Sequence, residues 1–189
     1  MKIGLFFGSF NPMHIGHKVI ASYMVEFSDL DQVTFVVSPQ NPLKNKKSLL
    51  DQYQRLMIIR MEIEDNPKLQ VTDIEFSMPQ PSYTIDTLVR LKEKNPQNQY
   101  SLIMGADNLQ YFHKWKNYQQ ILDSYSIYVF PRPGVKINEM YKNIHIVKDV
   151  PEMEISASFI RKFIKEGKDV SYLIPEKAWQ YIDEMNLYK

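Results

Sequence analysis

The residues best able to do chemistry crowd into one stretch, Gly8-Ser9-Phe10-Asn11-Pro12-Met13-His14-Ile15-Gly16-His17. His14 and His17 stand three apart at what reads as a helix start, a spacing that brings two imidazoles to one face. A helix start also carries N–H groups without an intrahelical partner and the positive end of the helix dipole, which suits a phosphate. Gly8 would let a phosphate approach the backbone, and Gly16 would let a ligand pack against the helix. The stretch is neither a G-x-G-x-x-G fingerprint nor a P-loop ending in G-K-[ST]. The same two histidines can be read as a structural pair at a cap. No neighbouring Asp, Glu or Cys completes a metal set with them. A second stretch is Ile155-Ser156-Ala157-Ser158-Phe159-Ile160-Arg161. Ser156 suits an N-cap and Ser158 falls in the first turn. Their hydroxyls, free N–H groups and Arg161 would together suit a phosphate. An ordinary capped amphipathic helix, with Ile160, Phe163 and Ile164 packed inward, reads the same way.

The elements that must position these residues follow from hydrophobic spacing. Ile3 to Phe7 is a short apolar run ending in Gly8 and reads as a buried parallel strand. Ile15 to Phe27 has helical spacing, with Val19, Ile20, Tyr23, Met24 and Phe27 on one side. Val33 to Val37 reads as a second strand. A second helix follows Ser48 through Leu49, Tyr53, Leu56, Met57, Ile59 and Ile63, with Ser48 and Asp51 as an N-cap pair. Leu69 to Ile74 reads as a third strand, and Pro79 and Pro81 break what comes next. Thr84 to Lys94 is helical through Ile85, Leu88, Val89 and Leu91. Tyr100 to Met104, ending in Gly105, and Ile127 to Phe130, ending in Pro131-Arg132-Pro133-Gly134, read as strands, with a sixth over Ile144 to Val147. Helices over Ser156 to Glu166, stopped by Gly167, and Pro175 to Met185, with Pro175 at a first helical position, come last. Strands alternating with helices predict an α/β fold, a doubly wound, mostly parallel sheet with helices on both faces. One domain over 1–189 is expected, with C-terminal helices 156–189 packed on it. In such sheets ligands bind outside the carboxyl ends of the strands. Gly8-Ser9, Gly105-Ala106-Asp107 and Arg132-Pro133-Gly134 all fall there.

Composition bounds the partners. The chain has 189 residues, 44% of them hydrophobic, enough for one domain with a core of its own. Its 23 Lys and Arg balance 22 Asp and Glu. That balance argues against a nucleic-acid partner, while a few local cations suffice for a small anion. Zero cysteines exclude disulfides, thiolate zinc sites and a Cys nucleophile. No signal-peptide pattern is visible, and no run approaches the roughly 18 apolar residues of a spanning helix. A cytoplasmic protein without a membrane partner is expected.

The first stretch resembles the G-x-F-[DN]-P-x-H-x-G-H signature of the nucleotidyltransferase superfamily. The second resembles its I-S-[ST]-[ST]-x-I-R motif, with Ala157 in place of the commoner Ser or Thr. Three middle segments resemble one branch, the bacterial nicotinate-nucleotide adenylyltransferases: Pro81-Ser82-Tyr83-Thr84-Ile85-Asp86-Thr87-Leu88, then Met104-Gly105-Ala106-Asp107-Asn108-Leu109 with Trp115, then Pro131-Arg132-Pro133-Gly134. Together these cover nearly the whole chain. The resemblance implies a Rossmann-like fold and adenylyl transfer from ATP to nicotinate mononucleotide, with magnesium delivered by the ATP. It assigns ATP to Gly8, Ser9, Phe10, His14, Gly16, His17, Ser156, Ser158 and Arg161. His14 and His17 flank the α-phosphate as the catalytic pair. The mononucleotide falls to Asn11, Lys44, Tyr83, Thr84, Gly105, Asp107, Trp115 and Arg132.

The residue chemistry agrees. Trp115 could stack on a pyridine ring, or be a half-buried core aromatic. Tyr83 and Thr84 at a helix start could meet a carboxylate with a hydroxyl and N–H groups, or Thr84 or Ser82 could simply cap the helix. Asp107 could accept from ribose hydroxyls or be an N-cap, and Arg132 could meet a phosphate or be a solvated loop residue. Asp86 reads as a first-turn residue that complements the helix dipole. Many relatives carry an aromatic directly after the tryptophan, whereas Lys116 and Asn117 stand here. The other readings are an adenylyltransferase for nicotinamide mononucleotide or phosphopantetheine, and a non-catalytic nucleotide-binding module. The presence of His14, His17 and Arg161 argues against the last.

Overall fold

The computed structural model describes residues 1–39, 49–137 and 143–189. Lys44 and Ser48 lie outside the described residues. Six strands form one sheet: β1 (Lys2–Gly8), β2 (Gln32–Val37), β3 (Leu69–Thr72), β4 (Gln99–Gly105), β5 (Ser126–Phe130) and β6 (Ile144–Ile146). Their order is β3-β2-β1-β4-β5-β6, and every pairing is parallel. This is the strand order of a Rossmann-like doubly wound sheet. The strand order reverses between β1 and β4, so the loops leaving those two parallel strands run to opposite sides and open a crevice.

Seven helices are described: α1 (Ile15–Phe27), α2 (Gln52–Ile63), α3 (Thr84–Lys94), α4 (Ala106–Gln110), α5 (Tyr118–Ser124), α6 (Ala157–Lys165) and α7 (Glu176–Glu184). Side chains alternate across the sheet with period two. Phe6, Val33, Phe35, Ile103, Tyr128 and Phe130 face the layer made by α1, α2, α6 and α7. Ile3, Leu5, Val36, Leu102, Met104, Ile127 and Val129 face the layer of α3 and α5. Helices 6 and 7 add Ile160, Ile164, Ala178 and Ile182 to the first cluster, and α7 packs against α2. No helix among the described residues is long and apolar enough to cross a membrane.

Several details depart from the sequence expectation. The buried stripe of α1 is Gly16, Ile20, Ala21, Met24 and Val25, while Phe27 is 70% exposed and stacks on Tyr23. Gly16 and Ala21 belong to that stripe, while the rings of Tyr23 and Phe27 stack on each other outside it. Asp51 caps α2, accepting from the Tyr53 N–H at 2.9 Å, and the helix begins at Gln52, leaving Leu49 outside it. The third strand stops at Thr72, whose hydroxyl takes the Ile74 N–H, and Ile74–Ser77 winds into a 3₁₀ turn. Pro175 is the N-cap of α7 and not its first residue, with an extended ψ of 147°. The short α4 and α5, with a 3₁₀ turn at Phe112–Lys114 between them, have no counterpart in the sequence reading.

Candidate functional site

The first motif leaves β1 at the switch point. Phe10 adopts φ 44°, a left-handed conformation that a bulky side chain takes only when its surroundings hold it there. What holds it is the core: its ring is 2% exposed and meets Phe6, Phe35 and His17 edge-on. A Cβ at Gly8 would lie 2.8 Å from the Phe10 ring. The packing of Phe10 therefore requires glycine there already, and Phe10 can offer a ligand only its backbone.

His14 is the N-cap of α1 and His17 its third residue. Their rings stack, with centroids 3.7 Å apart. The His14 N–H donates to His17 Nδ1 at 3.2 Å, so the neutral His17 ring carries its proton on Nε2. Gly16 permits this arrangement, since a Cβ there would sit 3.2 Å from the His14 ring. His14 is buried, and its Nδ1 has no hydrogen-bond partner among the described residues. Burial lowers the His14 pKa to about 4, and the Arg132 charge pushes the same way. At neutral pH His14 is thus an uncharged imidazole beside a narrow cleft. Gly16, Phe130, Arg132, Pro133 and Ile155 also line that cleft.

The second motif meets the first. Ser156 caps α6, accepting from the Phe159 N–H at 3.2 Å, as its position suggested. Arg161 donates to the Asn11 carbonyl at 2.6 Å and approaches the Ser158 hydroxyl at 3.5 Å. Residues 150 positions apart in sequence therefore converge on one loop. Asn11 itself is 4% exposed, and its side-chain oxygen accepts from the Leu50 N–H and the Tyr188 hydroxyl.

Across the crevice, Gly105 and not Asp107 is the N-cap of α4. Asp107 folds back over Gly105, where a Cβ would stand 2.4 Å from its oxygen, and faces Arg132 Nε at 3.6 Å. Arg132 also lies over the Phe130 ring. The β4 and β5 loops thus present an acid and a base side by side.

Tyr83, Thr84 and Trp115 form a second group. Tyr83 is the exposed N-cap of α3; its side chain makes no cap, while its carbonyl accepts from the Asp86 N–H at 3.0 Å. Ser82 does not cap either. Its hydroxyl, like that of Thr87, donates at 2.8 Å to the buried carboxylate of Glu75. Trp115 is half-buried and packs edge-on against Phe112. Its neighbour Lys116 lies 4.8 Å over the Tyr83 ring and bonds Asp86 at 2.9 Å, which brings the Trp115 segment to the start of α3. Asp86 thus holds a partner besides complementing the dipole.

Sequence reasoning missed Glu75 and Arg55. Both are charged residues, and charge ordinarily signals solvent. No cluster of three or more His, Asp or Glu among the described residues could hold a metal ion.

Comparison with known proteins gives a consistent set of likenesses. The model of the cytidylyltransferase-like family matches residues 5–163. A Flavobacterium johnsoniae protein named "probable nicotinate-nucleotide adenylyltransferase" is 52% identical, covering all of both chains. One of the same name from Flavobacterium psychrophilum is 54% identical, again over all of both chains. The fold of Plasmodium falciparum nicotinic acid mononucleotide adenylyltransferase complexed with NaAD superposes with TM-score 0.82 at 21% identity, covering 99% of this chain and 97% of that one.

Proposed function

This chain belongs to the cytidylyltransferase-like family and, within it, to the nicotinate-nucleotide adenylyltransferases, and we infer from that premise how its residues carry the reaction. It transfers the adenylyl group of ATP to nicotinate mononucleotide, giving nicotinate adenine dinucleotide and pyrophosphate. The observation that carries the residue assignment is the meeting of the two motifs: Arg161 bonds the Asn11 carbonyl while His14 and His17 stack at the start of α1.

The mononucleotide phosphate is anionic at neutral pH and needs no strong base. It attacks the α-phosphorus in line, and pyrophosphate leaves. Catalysis is then positioning and charge stabilisation. His17 donates through Nε2–H to an α-phosphate oxygen. The neutral His14 supplies a second hydrogen-bonding nitrogen, at no electrostatic cost in its buried place. Ser156, Ser158 and Arg161 hold the β- and γ-phosphates, with the backbone at Gly8, Ser9 and Phe10 on the other side. Gly16 keeps the helix start open. Asn11 shapes the loop, Asp107 and Arg132 hold the mononucleotide's ribose and phosphate beside Gly105, and Lys44 adds a further cation. Tyr83 and Thr84 meet the nicotinate carboxylate, and the half-buried Trp115 offers its free face to the ring. Magnesium enters as part of the ATP complex, held by phosphate oxygens and water.

The test is substrate choice. With magnesium and ATP, dinucleotide formation from nicotinate mononucleotide should exceed that from nicotinamide mononucleotide by at least about tenfold, the effect of one unmatched charged hydrogen bond. Equal rates would remove the carboxylate role from Tyr83 and Thr84.

A further inference from the structure

Against the first motif lies a polar lattice that the reaction as described leaves without a role. Arg55 is fully buried in the first turn of α2, and its side chain donates to carbonyls. It donates to Ser9 at 2.6 Å, Ser38 at 2.9 Å, Leu50 at 2.9 Å and Pro39 at 3.2 Å. A buried guanidinium is costly, and burial lowers the pKa of Arg55. What that position achieves is geometric: one rigid fork fixes the ends of β1 and β2 and the approach to α2.

Tyr188 completes the lattice. Helix α7 ends in a Schellman motif, with the Leu187 N–H on the Ile182 carbonyl and Asn186 at φ 51°. Leu187 turns into the core, and Tyr188, itself at φ 67°, swings its ring back toward the motif. Its hydroxyl donates to Asn11 Oδ1 at 2.8 Å, beside the Leu50 N–H at 3.2 Å. Burial holds the phenol far above its ordinary pKa, so it stays a donor. The loop is therefore held at Ser9 by Arg55 and at the Asn11 side chain by Tyr188. At the Asn11 carbonyl it is held by Arg161 from α6. Because the Ser9 carbonyl points inward to Arg55, the Phe10 N–H of that trans peptide points the opposite way.

We propose that Arg55 and Tyr188 are positioning residues for the adenylyl transfer, fixing the Ser9–Asn11 backbone and, through Asn11, the Arg161 side chain. The proposal rests on the reading of these residues as the phosphate site. Small misplacements of that loop leave ground-state binding nearly intact and penalise the in-line geometry.

The experiment uses the whole chain with magnesium, ATP and nicotinate mononucleotide, comparing the parent protein, Tyr188→Phe, Arg161→Lys and the double variant. Tyr188→Phe should lower kcat about tenfold with both KM values within about twofold of the parent. Its effect should be smaller in the Arg161→Lys background, since both act through Asn11. Arg55→Lys, which keeps the charge and loses the fork, should show the same loss confined to kcat. Turnover of Tyr188→Phe within about twofold of the parent overturns the proposal, as do additive effects in the double variant, or a loss that only follows a lowered melting temperature. A parent that makes no dinucleotide refutes the reading of the site itself, and the proposal falls with it. An active parent with unaffected variants sinks the proposal alone.

Discussion

Acid should destabilise this protein through His14 in a way that a single substitution isolates. The folded His14 has its pKa lowered from 6.5 to about 4, first by burial and then by Arg132. Between those two values the unfolded chain binds a proton that the folded chain refuses. Stability therefore rises with pH across that window. The contribution of neutral His14 is fully present above pH 6.5. It is lost progressively as the pH falls to about 4. Each pH unit of separation is worth about 1.4 kcal/mol, so the whole window amounts to about 3 kcal/mol. The assay is urea unfolding near pH 7.5 and near pH 4.5, for the parent and for His14→Gln, which cannot titrate there. Other groups titrate in both proteins and cancel in the difference. The parent should lose about 2 to 3 kcal/mol more than the variant. Parallel losses would show that His14 is already solvated or protonated in the folded state, and the neutral role assigned to it would fail.

Gly8→Ala should lower stability by about 1 to 3 kcal/mol, because the added carbon meets the Phe10 ring at 2.8 Å; an unchanged melting temperature would mean the ring has room to move. Glu75→Gln keeps the shape but weakens the acceptor that serves Ser82 and Thr87. It should cost about 1 to 3 kcal/mol in denaturant unfolding and raise KM for the mononucleotide more than for ATP. Equal changes in the two KM values would detach Glu75 from the Tyr83–Thr84 turn. Chelating magnesium should abolish turnover while leaving the melting curve of the ligand-free protein in place, and a lowered melting temperature would reveal a resident metal.

Much of the architecture was legible from local pattern. Short apolar runs ending in glycine marked β1 and β4, and α1 begins and ends where the sequence placed it, because strand and helix periods there are unambiguous. Failures came where tertiary contacts decide. Which of two adjacent stripes of α1 faces the sheet depends on how closely the helix can approach, and the spacing of Phe27 could not reveal that. The five residues of α4 and the seven of α5 are too short to show a period. Within the site, residue types announced the histidines, Ser156 and Arg161. The stacking of His14 on His17, the pairing of Asp107 with Arg132 and the inward turn of Asn11 are products of folding. Arg55 and Glu75 were invisible for a simpler reason: their partners are carbonyls and hydroxyls 5 to 46 positions away, and nothing local marks them as buried.

If the paired histidines at the switch point drive adenylyl transfer to nicotinate mononucleotide, removing one of them slows the reaction without unfolding the protein. Dinucleotide formation by the parent and by His17→Ala, measured alongside their melting temperatures, decides this. The parent should make nicotinate adenine dinucleotide and pyrophosphate in equal amounts. His17→Ala should melt normally and lose roughly 10²- to 10³-fold in kcat, the effect of removing one donor to developing charge. Near-normal turnover by His17→Ala would contradict the account.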